Sequence, residues 1–182
     1  MAAAENTQNG VIDLADNNNV PDGVYTISSA GDYKFTCSQE TENRIAVDGK
    51  KISEQDNIKI YLDNVNINTS AGPALQIADN VTAKVAIYLT GTNNLITTNK
   101  NSAGLQKDNE AQLIITSASD TDTGTLNAKN NNPSAYGAGI GGGYGSASGS
   151  YSTCRGANGS NIQISNSFVN AASTHGAGIE IG

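Results

Sequence analysis

Tryptophan is absent from the 182 residues, phenylalanine occurs twice and tyrosine seven times. So few aromatics, with modest apolar content, would hardly fill the broad core of a globular domain. They suffice for a thin core of Ile, Leu, Val and Ala. Basic side chains are also scarce: ten Lys plus Arg stand against seventeen Asp plus Glu, for a net charge of −7 and a pI near 4.5. That balance argues against nucleic acid, whose binding depends on Lys and Arg neutralising phosphates. It also argues against an anionic membrane surface. No run of eighteen apolar residues exists, so no helix is expected to span a bilayer. His175 is the single histidine, which rules out a site of two or three His ligands and leaves a Ser-His-Asp triad without support. It precedes GAGI in a turn and reads as a plain surface histidine. Cys37 and Cys154 lack the paired spacing of a zinc site. They could form a disulfide only if the loop carrying Cys154 folded back to the first coil, and otherwise they are two free thiols.

What is present is a repeat. Tyr136–Gly143 reads YGAGIGGG and His175–Gly182 reads HGAGIEIG. Each follows a β-like segment containing Asn-Ala, Leu126-Asn127-Ala128 and Val169-Asn170-Ala171. GAGIGG at 137–142 fits G-x-G-x-x-G, yet a dinucleotide site needs a helix after it. The following GYGSASGSY is no helix, and the second copy lacks the third glycine. Two copies in one context point to architecture, with glycine placed where backbones approach closely.

The repeat extends backwards. Ile58–Leu62, Val85–Leu89, Gln112–Ile115 and Asn161–Ile164 align as first strands. Second pieces begin at Val65, Leu95, Leu126 and Val169. Third pieces centre on Leu75, Leu105, Ile140 and Ile179. Apolar residues alternate with polar ones, the period of strands, and no helical period is sustained. Three short strands per coil predict an all-β fold: a right-handed single-stranded parallel β-helix, a solenoid of about five to six coils spaced by roughly 4.8 Å. The expected organisation is a polar lead-in over 1–22, a first coil or capping layer over 23–57, and coils over 58–182. Loops are inserted at 117–124 and 141–160 and should lie on the surface. MAAAENT has neither the basic region nor the apolar core of a signal peptide. A mature chain with an added Met explains this most simply, an intracellular protein being the alternative.

Four tyrosines are the candidate carbohydrate contacts. Tyr61 and Tyr88 should point outward on adjacent coils and stack about one strand spacing apart, with Ile114 and Gln163 continuing the column. A row of aromatic faces can dock the apolar faces of sugar rings, or can simply be a cross-strand ladder. Tyr136 sits beside the larger loop and Tyr144 and Tyr151 within it, where aromatics among Gly and Ser make an adaptable surface, or pack on the loop itself. Asp120 and Asp122, in SDTDTG, are candidate calcium ligands. Calcium takes six to eight oxygens, so a neighbouring coil would have to add donors such as Asp63, Asp79 or Asp108. A solvated acidic turn is the alternative. No paired carboxylates in register for hydrolysis, and no calcium-plus-base arrangement for elimination, can be read from the chain, so no enzyme is expected.

GVYTISSAGDYKFT, IKIYLDNVNINTSAGPALQI, VAIYLTGTNNLITTN and TGTLNAKNNNPSAYGAGIGGG, in this order, resemble the secreted bacterial carbohydrate-binding-domain β-helix proteins. The GAGIGGG repeats are similar to those of cell-surface proteins of the same anaerobic and gut bacteria. The resemblance covers roughly residues 23–182. It implies a right-handed β-helix, an extracellular or cell-surface location, and binding of acidic pectin-type or cellulosic polysaccharide, with calcium on loop carboxylates in some members. It identifies no sugar-contacting residue. A calcium-assisted, non-catalytic binder of polyuronate is therefore the expected function. A structural adhesin or fibre segment that self-associates through an open C-terminal coil is the alternative, because a strand edge left unpaired near Gly182 would seek a partner.

Overall fold

Alternation of inward apolar and outward polar residues, interrupted by Asn, Gly and Asp at turns, produces the structure in the computed structural model, which describes residues 10–144 and 159–179. Among the described residues the strands are β1 (Val11–Asp13), β2 (Val24–Ile27), β3 (Gly31–Thr36), β4 (Arg44–Val47) and β5 (Asn57–Asp63). They continue with β6 (Asn66–Thr69), β7 (Leu75–Ile77), β8 (Lys84–Thr90), β9 (Thr92–Thr97) and β10 (Leu105–Lys107). The last are β11 (Leu113–Ser117), β12 (Thr125–Asn130), β13 (Ile140–Gly141), β14 (Ile162–Ile164) and β15 (Phe168–Ser173). There is no α-helix among them, only one 3-10 turn at Gly49–Lys51.

The strands form three sheets, and every pairing is parallel. The first sheet runs β1-β3-β5-β8-β11-β14, the second β2-β4-β7-β10-β13, the third β6-β9-β12-β15. From β5 onward the chain visits them in fixed rotation: first sheet, third, second, then first again one strand further on. Parallel neighbours require such crossovers, because a tight hairpin can join only antiparallel strands.

The core is the column of inward residues from all three sheets. Ile58, Ile60, Leu62, Val85, Ile87, Leu89, Leu113 and Ile115 of the first sheet are fully buried, as are Leu75, Leu105 and Ile140 of the second. Each such side chain contributes about 1.5–3 kcal/mol relative to exposure. The third pieces align as the sequence suggests, Leu75 with Leu105, Leu105 with Ile140, and Ile140 with Ile179.

Two alignments differ from the sequence reading. Leu95 is not in the column of Val65, Leu126 and Val169; it pairs with Ala128 and Ile67. Asn93 takes the place instead and is fully buried. An apolar alignment could not find it because the occupant is polar. Its amide satisfies core backbone groups: the oxygen accepts from Val65 N–H at 2.9 Å, and the nitrogen donates to the carbonyls of Thr90 and Thr125. The second correction concerns the tyrosines and is given below. Within the segment read as a polar lead-in, Val11–Asp13 pairs with β3, and Leu14 and Val20 are buried.

Outside the third sheet, Asn66, Asn94, Asn127 and Asn170 stack in register. Each amide donates to the oxygen of the one before, at 3.2, 2.9 and 3.4 Å. The Asn-rich composition serves strand-to-strand pairing as well as turns.

Candidate functional site

β5 and β8 pair over seven residues, with Tyr61 opposite Tyr88. Their neighbours Ile60, Leu62, Ile87 and Leu89 are fully buried, so the tyrosines necessarily point outward. The rings stack at 4.8 Å between centroids with planes 16° apart. That distance is one strand spacing, so the backbone itself sets the stack.

The stack changes what the pair can offer. Each ring presents one face to the other, so outward to solvent they show hydroxyl-bearing edges. The two remaining faces look along the sheet: that of Tyr61 toward the rung of β3, where Lys34 is its partner, and that of Tyr88 toward β11. There the residue opposite Tyr88 is Thr116, not Ile114 as the sequence alignment has it. Ile114 and Gln163 do pair, but in the column of Ala86 and Lys59, two residues earlier. Aligning the aliphatic runs by their apolar content shifted β11 by one alternation. Thr116 is short, so nothing on its own rung continues the aromatic column.

Around Tyr61, Lys59 pairs with Asp32 at 3.6 Å. Burial, then the Asp32 carboxylate, push the Tyr61 hydroxyl above its ordinary value. It therefore stays protonated and able to donate a hydrogen bond at any physiological pH.

Tyr136 and Tyr144 form a second pair, centroids 5.3 Å apart and tilted by 36°. Tyr136 is exposed and carries the Lys100 ammonium 4.6 Å over its ring. Its backbone N–H donates to Lys100 O, and that of Tyr144 to Asn101 O. The four candidate tyrosines thus fall into two pairs, one on the first sheet and one at the connections around β13.

Asp120 and Asp122 lie exposed in the connection between β11 and β12. Asp63, at the end of β5, is on the side of the first sheet to which that connection belongs. Asp79 and Asp108 precede β8 and β11 and lie at the opposite strand ends, a full strand length away. They do not converge with Asp120 and Asp122. Among the described residues no three His, Cys, Asp or Glu are grouped to hold a metal ion. Two carboxylates fall short of the six to eight oxygens calcium takes.

The GAGI segments are structural. Backbone N–H groups that a phosphate would need are engaged: Ala138 donates to Gly142 O, Gly139 to Ala177 O and Ile140 to Gly178 O, at 2.9–3.0 Å. The two repeat copies bind each other. His175 is exposed. Cys37 is half-buried, and burial pushes its thiol up. Its pairing with Cys154, like any contact of Tyr151, lies outside the described residues.

A family model described as "Carbohydrate-binding domain-containing protein" matches residues 21–140 of the 182. That span holds Tyr61, Tyr88, Tyr136, Asp120 and Asp122. No curated protein and no solved structure matches the chain.

Proposed function

The chain belongs to the carbohydrate-binding domain-containing protein family, and on that premise we propose that it is a non-catalytic polysaccharide-binding module. Its scaffold, on this reading, is a right-handed parallel β-helix with one coil for each strand of the six-stranded first sheet. The rotation of the chain through three parallel sheets supports the helix, and the strong preference of parallel crossovers for one hand supports its sense.

The observation that carries the binding reading is the stacked Tyr61–Tyr88 pair on the outer face of that sheet. Its free Tyr88 face, bordered by Thr116, is a platform on which a pyranose ring can lie with its C–H face on the aromatic ring. The ring edges add hydroxyls that hydrogen-bond to sugar. Such polysaccharides meet proteins outside the cell, so an extracellular or cell-surface location is part of the proposal.

An acidic, pectin-type glycan is the more specific form of this reading. A polyuronate approaching a chain of net charge −7 would need a bridging cation. Asp120 and Asp122 are exposed carboxylates, but two of them do not make a calcium site, and no binding step is assigned to the ion. A glycan array read in calcium and again in chelator tests both forms. Binding that survives in chelator and is lost in Tyr88→Ala supports the tyrosine platform. Silence on every glycan in both buffers overturns it.

One observation favours the structural alternative. The inward residues Ile162, Ile164, Val169 and Ala171 of β14 and β15 are only partly buried, unlike their counterparts one rung earlier. A further rung, from the same chain or a second copy, would cover them. Sedimentation across a concentration series would detect association between copies.

A further inference from the structure

A cleft of about 700 Å³ opens at the other end of the first sheet's outer face. Lys84 starts β8, Gln112 immediately precedes β11 and Asn161 immediately precedes β14, so three successive rungs supply its wall. Asp79, Asp108 and Glu110 come from the turns that lead into those rungs, and Glu54 from the turn before β5. Val81 and Ala111 give it an apolar base.

The cleft and the tyrosine platform share one surface. Lys84, Ala86 and Tyr88 alternate outward on β8 beside Gln112, Ile114 and Thr116 around β11. Ala86 and Ile114 are opposite each other between the two ends and form a low apolar floor. Four residues of strand separate Lys84 from Tyr88, about 13 Å. That length accommodates two to three sugar rings.

The cleft's chemistry suits hydroxyls. Carboxylates accept, ammonium donates, and the Gln112 and Asn161 amides do both. Asp108 is held in place, its two oxygens accepting from Gly143 N–H at 2.7 Å and the Gln106 amide at 2.6 Å. Glu110 is fixed by the Ser160 hydroxyl at 2.7 Å. Preformed polar groups of this kind orient a ligand at little cost in ordering. Four carboxylates against the Lys84 ammonium and that of the buried Lys107, which acts on Glu110 and Asp108 from behind the wall, still leave the surface negative, so a uronic acid unit would be repelled unless a cation intervened.

We infer that the cleft is the second subsite of a glycan path running from Tyr88 along β8 and β11, and that in the absence of divalent cation this path takes an uncharged chain and not a polyuronate. The inference rests on the glycan-binding reading above. It is tested by titrating the full chain, in chelator, with β-1,4-linked glucose and mannose oligomers of increasing length and with oligogalacturonates of the same lengths. Affinity for a neutral chain should rise as it lengthens to span platform and cleft, then level off. Gln112→Ala and Glu110→Gln, both on the cleft wall and outside the buried core, should abolish that rise, roughly a tenfold loss for the longer oligomers. They should leave the shortest binders as in the wild type. Wild-type affinity of both variants for the longer oligomers would overturn the cleft inference and leave the tyrosine platform standing. Tighter binding of oligogalacturonate in chelator would overturn the assignment to uncharged chains. Absence of binding to every oligomer would remove the glycan reading, and this inference with it.

Discussion

The side-chain oxygen of Asn93 accepts the backbone N–H of Val65 at 2.9 Å inside the core. Asn93 stands where Leu126 and Val169 stand in the following rungs, so the obvious repair from sequence is Asn93→Leu. The structure argues the reverse. Leucine would leave the Val65 N–H buried without this acceptor, a cost of about 1–3 kcal/mol. It would also remove the amide donor from Thr90 O and Thr125 O. Asn93→Leu is expected to lower stability by about 1–3 kcal/mol in urea unfolding, although it makes the column uniformly apolar.

Tyr61 and Tyr88 should not be equivalent in binding. Tyr88 carries the face toward Thr116, while the outer face of Tyr61 looks toward Lys34. Tyr88→Ala should weaken glycan affinity roughly tenfold, as expected for about 1–1.5 kcal/mol of ring contact. Tyr61→Ala should cost less, acting only by loosening the stack. Tyr88→Phe should retain most of the affinity if the face does the binding. Calorimetric titration of the three variants orders them, and equal losses for both alanine variants would contradict the platform geometry.

Two aspartates should give stability opposite dependences on pH. The Asp48 carboxyl is held below its ordinary value of 3.8, first by the Asn80 amide and then by the Lys50 backbone N–H. A depressed carboxyl contributes stability that is present above 3.8 and lost as pH falls through its folded value. Asp108 is pushed above 3.8 by burial, against the pull of Gly143 N–H and the Gln106 amide. Its contribution is present below 3.8 and lost as pH rises through its folded value. Asp48→Asn should therefore flatten the loss of stability on the acid side of 3.8, and Asp108→Asn the decline above it. Thermal midpoints followed across acid pH for the wild type and both variants check the two slopes separately.

How far the chain can be read without its structure depends on what a position carries. Strand period, the recurrence of Leu75, Leu105, Ile140 and Ile179, and the pairing of Tyr61 with Tyr88 were legible, because apolar residues mark the inside and alternation does the rest. Where a polar residue is inside, as at Asn93, or a continuous aliphatic run hides the phase, as at Leu113–Ile115, the alignment slipped by one alternation. The slip moved Ile114 into the tyrosine column that Thr116 occupies. That the two rings would stack one strand spacing apart was legible as well, since it follows from the register; that the stack turns their faces toward each other and leaves the hydroxyl-bearing edges outward was not. The cleft was invisible for another reason: its wall comes from turns before three separate strands, and only the register brings Lys84, Gln112 and Asn161 side by side.

Gly139 separates the architectural reading of GAGIGG from a ligand-binding one. A Cβ there would stand 2.5 Å from Ala172 N and 2.7 Å from Gly178 O, both of the next rung, and 2.7 Å from Ala128 O of its own, all of them backbone atoms. Backbone cannot give way as the end of a flexible side chain does, so Gly139→Ala must push these backbone segments apart. A loss of about 1–3 kcal/mol or more is expected, as for overpacking elsewhere. Gly10, with nothing within 4 Å, is the control: Gly10→Ala should leave the stability within about 0.5 kcal/mol of the wild type. If the motif were a phosphate cradle, Gly139→Ala would impair anion binding and spare the fold. With the N–H groups of Ala138, Gly139 and Ile140 already donated to Gly142, Ala177 and Gly178, the damage should appear as unfolding. Differential scanning calorimetry with and without inorganic phosphate distinguishes the two, the expected result being a lowered midpoint that phosphate does not shift in either protein.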